Sequence, residues 1–131
     1  MPNSPALPAL ITVLTVFLQV WMMMIVGRAR GKFGIEAPAI TGNPDFERAF
    51  RVQANTLEST MMFLPALWVF ATYVSNSWGA ILGAVWLVGR AWYAIGYQQS
   101  AAARSKGFLV SIGSIAILAL GGIYGVIRAL C

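Results

Sequence analysis

Apolar positions in this chain neither alternate nor form a narrow helical stripe; they run on without interruption. Residues 1–27 carry no charged side chain, and neither do residues 59–89 or 107–127. A bilayer-spanning helix needs about 20 mainly apolar residues. The first stretch supplies one span. It exceeds a signal-peptide core and has no basic leader, so it reads as a retained helix. The second stretch is too long for one span, and Tyr73-Val74-Ser75-Asn76-Ser77 reads as a short polar turn that divides it. The third stretch supplies the last helix. The predicted elements are four helices at about residues 5–30, 44–73, 77–100 and 106–129, all within one domain covering residues 1–131.

Local signals place the helix starts. Asn3 or Ser4 can cap the first helix, with Pro5 at its first position, and Ser105 can cap the fourth. The second helix has Asn43 as its cap, Pro44 at its first position and Asp45 and Glu47 in its first turn. Residues 31–43 form the one sizeable loop. The fold class is all-α: an integral membrane four-helix bundle.

Composition narrows the function classes. Hydrophobic residues make up 59% of the 131, and charged residues only 10%, against about 25% in a soluble domain. So few charges cannot clothe a small soluble domain, and a disordered chain needs more charge and less hydrophobicity. The net charge of +5 reads as topology signal plus an anion site, with no nucleic-acid partner. There is no histidine, and Cys131 is the one cysteine. A zinc or haem site therefore has no ligand set, and the commonest general base is missing.

Lys and Arg placement predicts orientation. Arg28, Arg30, Lys32 and Arg48 flank the first connection, and Arg104 and Lys106 the third, while the second has none. Both basic connections should face the cytoplasm, with both termini on the opposite side.

Ionisable groups at membrane depth are costly and are functional candidates by default. Arg48, Arg51, Asn55 and Glu58 are spaced 3, 4 and 3, which aligns them on one helical face. Glu58 lies about 18 Å along the helix from Phe46. Arg90, Tyr93, Tyr97 and Arg104 share a second face if the third helix stays regular to its end. The two stripes should meet in the cytoplasmic half of the bundle. Guanidiniums, a carboxylate, phenols and amides together suit an anionic, peptide-like ligand. A ligand-free reading also stands, in which Arg51–Glu58 or Arg90–Glu58 is an internal ion pair that specifies helix pairing and Arg48, Arg104 and Lys106 mark topology. Trp21 with Met22, Met23 and Met24 reads as packing or lipid-facing, with the lining of an apolar pocket as the alternative. Gly79-xxx-Gly83 and Gly121-xxx-Gly125 read as close-packing patches, within or between subunits.

The strings Phe-Glu-Arg-x-x-Arg-x-Gln-x-Asn-x-x-Glu at 46–58 and Val-Gly-Arg-x-x-Tyr-x-x-x-Tyr at 88–97 resemble the MAPEG family. These are the membrane-associated proteins in eicosanoid and glutathione metabolism, which include microsomal glutathione transferases and cysteinyl-leukotriene synthase. The similarity covers roughly residues 28–104. It implies a homotrimer with glutathione held between adjacent subunits, in a site open to the cytoplasm. Positions matching Arg51, Asn55, Glu58, Tyr93 and Tyr97 hold the tripeptide, and those matching Arg30 and Gln53 come from the neighbour. The position matching Arg104 is the catalytic group that activates the thiolate. Arg48 and Arg90 remain candidates for a structural or site ion pair.

The implied activity is glutathione transfer to lipophilic electrophiles drawn from membrane lipid, with lipid hydroperoxide reduction sharing the same thiolate. Glutathione is then a co-substrate, and no metal is required. A non-catalytic lipid- or partner-binding scaffold of the same family is the alternative. Two positions depart from the leukotriene synthase pattern: Ser59 stands where a tyrosine contacts glutathione, and Ala116 where a tryptophan lines the lipid cleft. A small multidrug transporter would carry its key carboxylate in the first helix, which has none here.

Overall fold

A computed structural model of the chain describes residues 3–99 and 104–131. It contains four helices: α1 (Ala6–Phe33), α2 (Pro44–Tyr73), α3 (Asn76–Gln99) and α4 (Arg104–Leu130). The protein is an all-helical membrane bundle. α2 and α3 each touch all three other helices, whereas α1 and α4 do not touch among the described residues.

The α2 bounds are those expected. The Asn43 side-chain oxygen accepts from the backbone N–H of Asp45 at 2.9 Å and of Phe46 at 3.2 Å, and Pro44 follows at the first position. These contacts satisfy orphan donors of the first turn. α1 runs three residues beyond its predicted end. Gly31 and Lys32 continue the helix, and the stop is Gly34, at φ 65°, whose N–H closes on the Arg30 carbonyl. Glycine alone takes that left-handed conformation without penalty. The connecting loop is therefore 34–43 rather than 31–43.

α3 starts at Asn76, and Ser75 Oγ accepts the Trp78 N–H at 3.1 Å. Ser4, not Asn3, serves the start of α1 by accepting the Ala6 N–H at 3.1 Å. Asn3 instead clasps Asn76 through two hydrogen bonds of 3.0 Å, which ties the N-terminus to the α2–α3 turn. Arg104 opens α4, so Ser105 sits inside that helix rather than capping it. Ser100, the predicted end of the third helix, lies outside the described residues.

By length and hydropathy, Ala6–Phe33, Asn76–Tyr97 and Arg104–Leu130 can each cross a membrane. α2 falls short of that measure because its first half carries the polar stripe. The outer surface is apolar, with Phe17, Met61 and Leu120 each more than half exposed. Inside, Phe63 stacks on Trp86 with ring centroids 4.0 Å apart, within a cluster that includes Ile11, Leu67, Phe70 and Leu118. Without water to drive association, van der Waals fit holds such a core. Glycines set that fit. Gly83 receives Ile11, Gly79 and Gly121 receive Phe70, and Gly125 meets the backbone at Tyr73. Both small-residue patches thus make contacts within the subunit. The closest approach was unmarked in the sequence: Gly107 of α4 lies against the Tyr93 backbone and the Gly89 carbonyl of α3.

Candidate functional site

α2, α3 and α4 enclose a groove of about 710 Å³. Its polar lining is Arg51, Asn55 and Glu58 from α2, Tyr93 and Tyr97 from α3, and Arg104 and Ser105 from the start of α4. Phe50, Ala54, Phe108 and Leu109 supply apolar walls. The spacing places Arg51, Asn55 and Glu58 along one side of α2. The α3–α4 approach at Gly107 brings Arg104 beside Tyr97, with its guanidinium carbon 5.1 Å from the ring centroid. The tyrosines meet edge to face at 5.6 Å. Tyr93 and Tyr97 are largely buried against Met22 and Val52, so their rings are fixed by packing.

Arg90 lies behind this groove rather than in it, with 1% of its surface exposed. Among the described residues it is paired with no carboxylate. Its two terminal nitrogens donate to the Asn55 side-chain oxygen at 2.8 and 3.0 Å. Further donors reach Thr56 Oγ1 at 3.4 Å and Ser111 Oγ at 3.3 Å. The guanidinium also stacks 4.4 Å from the Tyr93 ring centroid. A buried cation is thus held by neutral oxygens and a π face.

The internal ion pair considered from the sequence is absent among the described residues. Neither Arg51–Glu58 nor Arg90–Glu58 forms, and Arg51 and Glu58 are both exposed to the groove. The one salt bridge there is Arg48 to Asp45, at 2.8 Å. Arg48 therefore leaves the predicted stripe. It turns toward α1, into a separate recess lined by Ile25, Arg28, Lys32 and Phe33. Attraction to the carboxylate three residues back outweighs the nominal face.

Arg30 and Gln53 also lie outside the groove. Arg30 donates to the Ala39 carbonyl at 2.8 Å and stacks 4.9 Å from the Phe46 ring centroid. Gln53 lines a second recess of about 490 Å³ between α1 and α2, with Val16, Gln19, Val20 and Met23. That recess shares Phe50 and Ala54 with the main groove. Ser59 faces inward and accepts the Trp86 indole N–H at 3.1 Å. Ala116 is exposed on α4 and is not among the groove-lining residues. Met22 is a core residue, whereas Met23 and Met24 are exposed.

Sequence reasoning passed over Thr56 and Ser111, the supports of Arg90. Ser111 follows Gly107 by four residues, which puts it on the α3-facing side of α4. Among the described residues, no group of three or more His, Cys, Asp or Glu side chains is placed to hold a metal ion.

The profile of the MAPEG family matches residues 8–124. An uncharacterised protein of Synechocystis is 51% identical over 120 residues, covering 92% of this chain and 88% of its own. Human microsomal glutathione S-transferase 2 is 36% identical over 126 residues, covering 96% of this chain and 86% of its own. Leukotriene C4 synthase of Cavia porcellus is 35% identical over 128 residues, covering 91% and 85%. The chain is an integral membrane protein that belongs to the MAPEG family.

Proposed function

We propose that this protein is a membrane glutathione transferase that activates the glutathione thiol for attack on lipophilic electrophiles. The observation that carries the proposal is the unspent polar lining of one groove. Arg51, Glu58 and Arg104 line it without an ion pair among the described residues, and a tripeptide such as glutathione would offer them a carboxylate, an ammonium and a thiolate in turn. The relatives named as microsomal glutathione S-transferase 2 support the co-substrate. The groove volume of about 710 Å³ falls in the usual range for small-molecule sites.

Arg51 and the Asn55 amide bind carboxylate, Glu58 binds the ammonium, and the Tyr93 and Tyr97 hydroxyls orient the peptide. Arg104 is the catalytic group. Its guanidinium stabilises the thiolate and lowers the thiol pKa, with the proton leaving to water. The sulfur then bonds to the electrophilic carbon, and the electron pair of the broken bond departs with the leaving group. The bilayer supplies the electrophile by partition. The same thiolate can attack the outer oxygen of a lipid hydroperoxide, breaking the O–O bond to release the alcohol and leave a sulfenic acid, which a second glutathione converts to the disulfide and water.

The working unit in this proposal is a homotrimer. Arg30 and Gln53, which lie on the α1–α2 side, complete the groove of the adjacent subunit. The basic connections and the groove face the cytoplasm, and both termini face the opposite side.

Glutathione added to the detergent-purified protein should raise thiolate absorbance. Arg104→Ala should abolish that rise while the oligomer stays intact, and should slow conjugation of a model halo-arene by about 10- to 100-fold. Unchanged conjugation by Arg104→Ala would refute the mechanism. No glutathione-dependent turnover across a broad electrophile panel would favour a non-catalytic scaffold.

A further inference from the structure

Arginine can only donate hydrogen bonds, and this settles a choice that an asparagine ordinarily leaves open. Both terminal nitrogens of Arg90 point at the Asn55 side-chain oxygen. That oxygen is therefore occupied, and the two N–H donors of the Asn55 amide are the part left to face a ligand. The guanidinium that imposes this is itself immobilised. Ser111 and Thr56 hold it from α4 and α2, and Tyr93 covers its face. Rotating the Asn55 amide would bring N–H groups against N–H groups in a buried setting, with the donors left unmade.

We propose that Arg90 is a positioning residue that sets the polarity of the groove: it locks Asn55 as a pure donor, so that this position recognises a carboxylate or carbonyl of the ligand and rejects an ammonium. The inference rests on the glutathione reading above and assigns Arg90 a role other than the ion pair the sequence suggested. It also divides the groove. Arg51, Asn55 and Arg104 form its donor side, and Glu58 is left as the one carboxylate that can accept the ammonium. A peptide-like ligand with separated anionic and cationic groups then has one favoured direction of binding. Arg90 touches no ligand in this scheme and acts only through Asn55 and Tyr93.

The test compares glutathione KM and kcat for detergent-purified variants, with thermal midpoint and oligomer mass as controls. Arg90→Met keeps volume and removes both fork and charge. Its KM for glutathione should rise roughly 10- to 100-fold, the range for losing a hydrogen bond to a charged group, with kcat at saturation held within about threefold. Arg90→Lys, which keeps a cation, should recover part of the loss. Asn55→Leu should raise KM to a similar extent, and the double variant should be no worse than the more affected single, because both changes remove one device.

If Arg90→Met does not assemble, Asn55→Asp carries the test. Its carboxylate keeps the contact with Arg90 but offers no donor, so KM should rise as in Asn55→Leu with the thermal midpoint at or above that of the parent. A parent-like KM in folded Arg90→Met or in Asn55→Asp, or strict additivity in the double variant, overturns the inference while leaving the proposed function standing. A parent protein that binds no glutathione overturns the proposed function, and this inference with it.

Discussion

The two halves of α2 are held in the bundle by different physics. Around Asn55, Thr56, Arg90 and Ser111, cohesion comes from directed hydrogen bonds between three helices. Around Phe63, Leu67, Trp86 and Leu118, it comes mainly from close fit, with separate single hydrogen bonds from Trp86 to Ser59, Ser114 to the Leu82 carbonyl, Gln19 to Thr60 and Trp68 to Thr12. Inside a bilayer, apolar side chains gain little by leaving lipid, so the second layer depends on shape. The first depends on which oxygen meets which nitrogen, and that demand is discrete. A poor replacement in the apolar layer should loosen the helices. A poor replacement in the polar layer should change what the groove offers a ligand, and can do so without loosening anything.

Variants at five positions test that division, beginning with the largest expected effect. Gly107→Ala would drive a methyl group into the Tyr93 backbone and to 2.8 Å from the Gly89 carbonyl. Backbone cannot move aside as a side-chain tip can, so the loss should reach about 3 kcal/mol or more, read as a collapse of the folded oligomer in thermal unfolding. Gly121→Ala meets only the Phe70 ring, and should cost less. A reversed ranking would mean that the α3–α4 approach is softer than the apolar layer.

Phe63→Ala removes the ring stacked on Trp86 and should cost about 3–4 kcal/mol. Glutathione affinity in the surviving folded protein should stay within about twofold; a larger change would couple the layers. Glu58→Gln should do the opposite. Glu58 is exposed and unpaired among the described residues, so the thermal midpoint should hold, while glutathione affinity falls by about tenfold as a charged acceptor is lost. Calorimetric titration reads both parts. Arg48→Ala should be nearly silent. Its partly exposed pair with Asp45 belongs to a class worth at most about 1 kcal/mol, and the groove does not include it. A loss of glutathione binding there would show that the α1–α2 recess belongs to the site.

Legibility followed the same division. The helix count and the α2 bounds were readable because Asn43-Pro44 and the 73–77 turn are local signals that no distant contact overrides. The end of α1 was misplaced because two glycines compete for the stop, and only Gly34 adopts positive φ. The convergence of Arg51, Asn55, Glu58, Tyr93, Tyr97 and Arg104 follows from helical spacing once α2, α3 and α4 are adjacent. That Arg104 opens α4 instead of lying in the third connection was not readable, since charge and hydropathy mark only an interface there. Nor was the Gly89–Gly107 approach, because the two residues come from different helices and form no spaced motif.

The sequence alone determined that this protein is a membrane helix bundle with a few expensive polar groups at depth, because uncharged run lengths and helical periodicity are properties of the chain itself. The tertiary structure decided how those groups are used. Whether Arg90 meets Glu58 or Asn55 depends on the rotation and depth of three helices packed to within a methyl group of one another. The α4 approach at Gly107 adds Ser111 to the set that holds Arg90, and one helix cannot specify such a meeting by its own spacing.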